Sequence, residues 1–178
     1  MDALLHDLRP ITATSRRLSL GGAAWVASAV VHVGMLASTG FVWQGAVSWR
    51  KPIVFGFSIG LLLATIGWVL DRLDPDDGRL ARGLGWTLLV SSSIEVGLIT
   101  LQAWRGEASH FNVAEPTDAA IFAGMGAAIA VMSVCLVTVF AWVLRRRPTD
   151  PVLALALTAG MGLVMAGLGV GQWAIELG

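Results

Sequence analysis

The chain has 178 residues, of which 56 % are hydrophobic and 13 % are charged, and its formal net charge is zero. Because soluble domains carry about 25 % charged residues, this composition excludes an ordinary soluble protein. The balanced charge also argues against nucleic acid, or an anionic lipid surface, as a partner recognised through bulk charge.

Five segments carry no charge, or a single one, over a length that can cross a membrane. A helix needs about 20 apolar residues to span a hydrocarbon core about 30 Å thick. The sequence lacks the polar–apolar alternation typical of barrel strands. Backbone groups in lipid must make their hydrogen bonds within the protein, which leaves helices as the membrane-spanning structure. We therefore predict an all-α integral membrane bundle in one domain, residues 1–178. The predicted transmembrane helices are 20–38, 53–70, 84–104, 119–143 and 152–175.

The first apolar segment follows Arg16 and Arg17, as the core of a signal peptide would. It continues to about Ser38, beyond the 7–15 residues typical of a signal peptide core. We predict a retained transmembrane helix.

The basic residues are unevenly distributed between the two sides of the predicted bundle. Only Arg50, Lys51 and Arg105 fall in the first and third connections, and the other nine of the 12 fall in the N-terminal segment and the second and fourth connections. Positively charged segments stay in the cytoplasm, so the count predicts a cytoplasmic N-terminus and an external C-terminus. The nine residues are Arg9, Arg16, Arg17, Arg72, Arg79, Arg82, Arg145, Arg146 and Arg147.

The tryptophans fall mostly near the predicted helix ends, as interfacial anchors do. We interpret each first as an anchor and only second as part of a ligand site. The cytoplasmic group is Trp68, Trp86 and Trp142, with Trp25 deeper, and the outer group is Trp43, Trp49, Trp104 and Trp173.

Two cytoplasmic connections carry turn signals. Residues 71–83 combine Pro, Gly and mixed charge, which predicts a solvated hairpin without a function. Asp150 and Pro151 are placed to cap the fifth helix.

Small residues recur at four-residue spacing in two helices, which allows close helix packing in a membrane. The stripes are Gly56, Gly60 and Ala64 in the second helix and Ala120, Gly124 and Ala128 in the fourth. The fifth helix has glycines on two faces, so we predict that it is wedged inside the bundle. These stripes could also hold a second copy of the chain or another membrane subunit, and membrane lipid is the expected surroundings.

Ionisable residues at membrane depth are expensive and rarely face lipid. Glu95 and His32 lie about 13 Å and about 9 Å below the outer helix ends, at 1.5 Å per residue. We predict that Glu95 faces protein and that the two share an outer pocket. Polar residues on the same helices, or at the same height, are Ser28, Ser91, Gln102 and Gln172.

Catalytic and cofactor motifs are missing from this set. Only His32 lies in a predicted helix, so two facing histidines cannot hold a haem, and no spacing such as HExxH provides a metal site. We expect no metal and no cofactor. Acid–base catalysis by Glu95 or His110 stays open, although no motif supports an enzyme.

Two elements carry a resemblance to known sequences. Trp49-Arg50-Lys51-Pro52 and Gln102-x-x-Arg105-Gly106-x-x-Ser109-His110-Phe111-Asn112 resemble elements that recur together in uncharacterised bacterial (actinobacterial-type) multi-pass membrane proteins. The resemblance covers residues 43–126. It implies the bacterial plasma membrane and suggests that both elements belong to one site, but it carries no activity.

The loop after the third helix is expected to fold over the outer mouth of the bundle. Gly106 permits a sharp turn. A buried Phe111 would pin the loop, with a dip into the lipid interface as the alternative. His110 would then give the site a pH response near physiological pH.

These observations favour an outer-facing polar pocket that binds or transports a small polar ligand, a proton or a lipid headgroup. The alternatives are a non-catalytic subunit of a larger membrane complex and an intramembrane enzyme. The expected ligand-binding residues are His32, Arg50, Lys51, Glu95, Gln102, Arg105, His110 and Asn112.

Overall fold

Five long α-helices account for most of the structure. The computed structural model describes residues 11–41, 43–45, 47–146 and 148–176, without the side chains of Gln172 and residues 174–176. Each helix is long and apolar enough to cross a membrane, and no strand occurs among the described residues. The predicted all-α, multi-pass architecture is confirmed. The helices are α1 (Ala13–Ser38), α2 (Arg50–Leu73), α3 (Arg79–Arg105), α4 (Pro116–Arg145) and α5 (Pro151–Glu176).

Local capping explains where two of the helices begin. The Thr12 hydroxyl accepts a hydrogen bond from the Ser15 amide at 3.0 Å, which satisfies one free donor of the first turn of α1. At α5, the Asp150 carboxylate accepts from the Val152 amide at 2.9 Å, and Pro151 occupies the first turn. The predicted cap of the fifth helix is confirmed.

Helices α1 and α2 pack with their backbones in near contact. A Cβ atom on Gly22 would lie 2.4 Å from the Gly60 carbonyl oxygen, and one on Gly60 would lie 2.6 Å from the Gly22 oxygen. Gly56 faces the Trp25 carbonyl in the same way, at 2.9 Å. The small-residue stripe of the second helix therefore allows the close helix packing that its spacing predicts.

Helix α3 contacts α1, α2 and α4, so that α1–α4 close around one apolar core. The fully buried residues of this core come from all four helices. They include Leu18, Leu63, Leu70, Leu88, Val96, Leu136 and Val139.

Helix α5 lies at the edge of the bundle, and the prediction that it is wedged inside is wrong. It packs mainly against α4, where Leu157 and Met161 join the core. A Cβ atom on any of its glycines, such as Gly160 or Gly167, would meet nothing within 4 Å. Glycine on two faces thins a helix but does not dictate what covers it, because lipid solvates apolar surface as well as protein does.

The second connection is shorter than predicted, because α2 and α3 extend into it from both sides and leave only residues 74–78. Asp71, expected in a solvated hairpin, is 2 % exposed. Its carboxylate accepts hydrogen bonds from the Ile11 and Thr12 amides at 2.9 and 3.1 Å. Asp71, which belongs to α2, thus caps the start of the neighbouring helix α1.

The bundle has two chemically different ends. The basic end contains the starts of α1, α3 and α5 and the ends of α2 and α4. There, the guanidinium groups of Arg17, Arg72 and Arg146 lie over the rings of Trp86, Trp68 and Trp142, at 4.8, 4.8 and 5.9 Å. The polar end contains the ends of α1 and α3, the starts of α2 and α4, the first connection (residues 39–49) and the third connection (residues 106–115).

Candidate functional site at the polar end

The third connection reverses the chain at the end of α3. Gly106 has φ 73°, a left-handed conformation that costs glycine little. The Glu107 amide then donates to the Gln102 carbonyl oxygen at 3.0 Å, which closes the last turn of the helix. Further along, the Asn112 side chain accepts from the Ala114 amide at 3.3 Å and shapes the approach to α4.

Asp118 is the centre of a side-chain cluster that fastens this connection. Its carboxylate is 3 % exposed and accepts hydrogen bonds from Gln102 at 3.0 Å, Arg105 at 2.6 Å and Asn112 at 3.2 Å. Gln102 also donates to the Ala108 carbonyl oxygen at 3.2 Å and accepts from Arg105. We call these four side chains the Asp118 cluster. They join the end of α3, the third connection and the start of α4.

A second set of contacts joins the third connection to the start of α2. The Lys51 ammonium donates to the Ser109 hydroxyl at 3.2 Å, and that hydroxyl lies 2.9 Å from Nδ1 of His110. The His110 ring contacts Phe55 and Phe122, with centroid distances of 5.9 and 6.4 Å. The two elements that carry the family resemblance therefore meet in space.

The connection folds back onto the bundle, but the residue that anchors it is not the expected one. Phe111 is 57 % exposed, and its ring lies 5.5 Å from that of Phe122 at the edge of the bundle. His110 packs inward instead. The prediction of a buried Phe111 is wrong because Phe111 adopts φ 58°, which turns the backbone between the two side chains.

His110 is biased toward its neutral form. Burial, together with the positive charge of Lys51, holds the pKa of His110 below its usual value of about 6.5. The direction of the shift is away from the neutral pH response that the sequence suggests, because it favours the uncharged ring.

His32 is locked in one neutral tautomer. Its Nδ1 lies 2.7 Å from the Ser28 carbonyl oxygen, which can only accept, so Nδ1 carries the proton. Its Nε2 accepts from the Trp104 indole N–H at 3.1 Å. Trp49 packs on both rings, at 5.6 Å from His32 and 5.2 Å from Trp104. With both ring nitrogens engaged, His32 has no lone pair left for a ligand.

Glu95 lies apart from these groups, in the middle of α3. It is 3 % exposed, so the prediction that it faces protein is confirmed. Its Oε2 atom is buried and has no hydrogen-bond partner among the described residues. The hydrogen bonds of His32 go to Ser28 and Trp104, so no hydrogen bond joins it to Glu95.

Cationic side chains remain without a carboxylate at the start of α2. Within the described residues, the one salt bridge is Arg105–Asp118, so Arg50 and Lys51 are not paired with an acid. Next to them, Ser48 has a buried hydroxyl without a hydrogen-bond partner and helps to line a cavity of about 280 Å³. The remaining lining residues are Thr39, Val47, Trp49, Ala103 and Gly106.

The expected ligand-binding residues thus divide into three groups. Gln102, Arg105 and Asn112 belong to the Asp118 cluster, and Arg50, Lys51 and His110 lie around the start of α2. The third group has no hydrogen bond to these two: His32 packs on Trp49 and bonds to Ser28 and Trp104, and Glu95 lies further along α3. The side chain of Gln172 lies outside the described residues.

Several residues of the site were not predicted. Asp118 lies in the first turn of an apolar helix, as many helix-starting acids do, so the sequence gives no sign that three donors converge on it. Trp49 and Trp104 were interpreted as anchors. Ser109, between Lys51 and His110, could have been found only from its place in the second resembling element.

Among the described residues, no three His, Cys, Asp or Glu side chains are grouped as metal ligands would be. No protein-family model, curated protein or solved structure matches the chain. The geometry of the polar end is therefore the basis for its function.

Proposed function

We propose that this multi-pass membrane protein binds a phosphate group, as in an anionic lipid headgroup, at the start of α2. The observation that carries the proposal is the pair of cations there. Arg50 and Lys51 lack an acidic partner in the described part of the chain, while the buried acid of this end, Asp118, is already engaged by Arg105. An anion from outside the chain would complete the charge balance.

The surroundings of the cations suit an oxyanion. Helix α2 begins without a side-chain cap, so its first amide groups are free to donate, and the helix dipole favours negative charge at this point. The unpartnered Ser48 hydroxyl adds a donor. Trp43 and Trp104, both exposed, flank this end as interfacial residues do.

We further infer that the polar end faces the outside of the bacterial plasma membrane. The uneven distribution of basic residues supports this orientation, although Arg9 and Arg147 lie outside the described residues. The arginine–tryptophan contacts of the basic end are of the kind expected at a headgroup interface. A topology reporter fused after Gly178 should be active outside the cytoplasm, and activity only inside would contradict the orientation.

The binding proposal is tested with purified protein in detergent by native mass spectrometry. Phosphatidylglycerol and inorganic phosphate are titrated separately. The variant Arg50→Gln/Lys51→Gln should weaken the retention of phosphatidylglycerol about tenfold or more, because two charge-assisted contacts are lost. The matched control is Arg79→Gln/Arg82→Gln, which removes the same charge at exposed positions of the basic end.

Three outcomes distinguish the sources of the phosphate. Loss of lipid in the first variant alone supports a headgroup site. The same residue dependence for inorganic phosphate, without lipid retention, identifies a soluble anion as the ligand. Equal retention in both variants and the parent protein would overturn the proposal.

A further inference from the structure

Glu95 is the ionisable residue nearest the middle of the membrane-spanning part of the bundle. It lies ten residues from Arg105 and 13 from Arg82 along α3, which is about 15 Å and about 20 Å of helix. Its side chain is 3 % exposed, on the face of α3 that also buries Ser91, Ser92 and Ile99.

No cation is placed to neutralise this carboxyl group from a neighbouring helix. Helix α2 has no ionisable residue between Lys51 and Asp71, and α4 has only Cys135 between Asp118 and Arg145. Because Gln102 bonds to Asp118, the antiparallel register puts Asp118 about two helical turns from Glu95.

Helix α1 offers no counter-ion either. Its only ionisable group beyond Arg17 is His32, which is neutral and donates its proton to Ser28. The indole of Trp104 occupies its other nitrogen. His32 therefore neither gives a proton to Glu95 nor carries a charge that would hold Glu95 ionised.

The hydroxyl groups beside Glu95 favour its acid form. Ser91, one turn earlier on the same face, donates its proton to the Thr87 carbonyl oxygen at 2.8 Å, and Ser92 donates to Leu89 at 3.1 Å. Both serine oxygens retain only the capacity to accept. An ionised carboxylate would find no donor in them, whereas a carboxylic acid brings its own proton.

We propose that Glu95 is a proton-binding site within the membrane, protonated at rest and able to release and rebind one proton. The unpartnered Oε2 atom, and the lack of a cation placed to pair with it on the described helices, carry the assignment. A carboxylate taken from water without a partner is strongly disfavoured, so the bound proton replaces the absent cation. This site is independent of the phosphate site at the start of α2.

The experiment is infrared spectroscopy of the protein in lipid bilayers as a function of pH. A protonated carboxylic acid has a C=O stretching band that a carboxylate lacks. The band should be present at neutral pH, disappear reversibly at alkaline pH, and be missing from Glu95→Gln at neutral pH, where ordinary carboxyl groups are ionised. The matched control is Glu107→Gln, which changes an exposed glutamate of the third connection and should retain the band.

A second measurement needs no variant and uses the parent protein. An apolar carbodiimide reacts with protonated carboxyl groups, whose proton passes to a carbodiimide nitrogen as the carboxyl oxygen bonds to its central carbon. A groove of about 580 Å³ between α3 and α4 is lined in part by Ser91 and Ile94, so it offers an apolar reagent a place to bind next to the turn of α3 that contains Glu95. Peptide mapping at neutral pH should find the adduct on Glu95 and not on Glu107 or Glu115.

Two results would overturn the assignment. One is a neutral-pH spectrum without the acid band together with an unlabelled Glu95, which would mean that the residue is ionised. The other is a band that persists at every pH at which circular dichroism shows the helices intact, because a permanently protonated acid is only a structural group.

Discussion

Among the described residues, each end of the bundle contains one buried aspartate, and the two bind different kinds of partner. At the basic end, Asp71 accepts from two backbone amides at the start of α1. At the polar end, Asp118 accepts from the side chains of Gln102, Arg105 and Asn112. A carboxylate that binds backbone amides fixes the start of a helix. A carboxylate that binds side chains instead holds together the loop and helix ends that carry those side chains.

The largest expected effect comes from Asp71→Asn. The Ile11 and Thr12 amides donate to different oxygens of Asp71, so the asparagine amide leaves one of them without an acceptor and the other with an uncharged one. We expect a loss of about 2–3 kcal/mol in the free energy of unfolding, spread over the whole bundle. Reversible unfolding in mixed detergent, followed by circular dichroism, measures it. The control Asp76→Asn alters an exposed acid of the same connection, and an equal loss there would remove the distinction between the two ends.

Asp118→Asn should have a smaller and more local effect, about 1–2 kcal/mol. Arg105 loses its ionic partner, so the third connection loosens while the helices stay folded. Hydrogen exchange should rise in residues 106–115 and stay unchanged at the start of α1. Glu115→Gln, an exposed acid of the same connection, should change neither. Faster exchange throughout the bundle would show that Asp118 is as structural as Asp71.

Trp104→Phe tests His32, which bonds both to a backbone group, the Ser28 carbonyl oxygen, and to a side chain, the Trp104 indole. The substitution keeps an aromatic ring but removes the N–H that His32 accepts, at a cost of about 1 kcal/mol. In the parent protein, the nitrogen NMR signals of His32 should report a neutral imidazole protonated at Nδ1. In Trp104→Phe, the Nε2 signal should shift because Nε2 loses its hydrogen-bond donor. Trp43→Phe, at an exposed position, should leave the His32 signals unchanged.

The smallest expected effect is a pH dependence of the third connection. Because the pKa of His110 is lowered in the folded state, its contribution to stability is present above about pH 6.5 and is lost as the pH falls through the folded-state value. Exchange in residues 106–115, corrected for the intrinsic rate, should rise by less than about tenfold on acidification. Lys51→Gln removes the smaller cause of the shift and should shrink this response in part; an unchanged response in His110→Gln would exclude His110 as its source.

Sequence patterns predicted the helices because run length alone decides what can cross a membrane. Glycine spacing predicted the α1–α2 contact, where Gly56 and Gly60 meet a backbone, but it failed for α5. The difference is physical: a helix can show small residues to lipid or to protein at similar cost, and spacing carries no information about which one is present.

The site was predicted less well than the fold. Glu95 and His32 stand out because a polar residue in an apolar run is costly wherever it points. Their partners do not stand out, since Trp104 bonds to a residue 72 positions away and Asp118 to one 16 positions away. Such pairings depend on how each helix is rotated about its axis and aligned with its neighbours. Because these helices are hydrophobic on all sides, their apolar pattern does not determine either.

The position of α5 bears on how the chain is assembled during synthesis. Because α1–α4 contact one another without α5, which leans mainly on α4, we expect these four helices to form most of their shared core before α5 docks. The docking of α5 would then cover one side of α4, while Asp71 and Asp118 find their partners without it. A variant that ends after Thr149 should therefore still protect the polar end from protease.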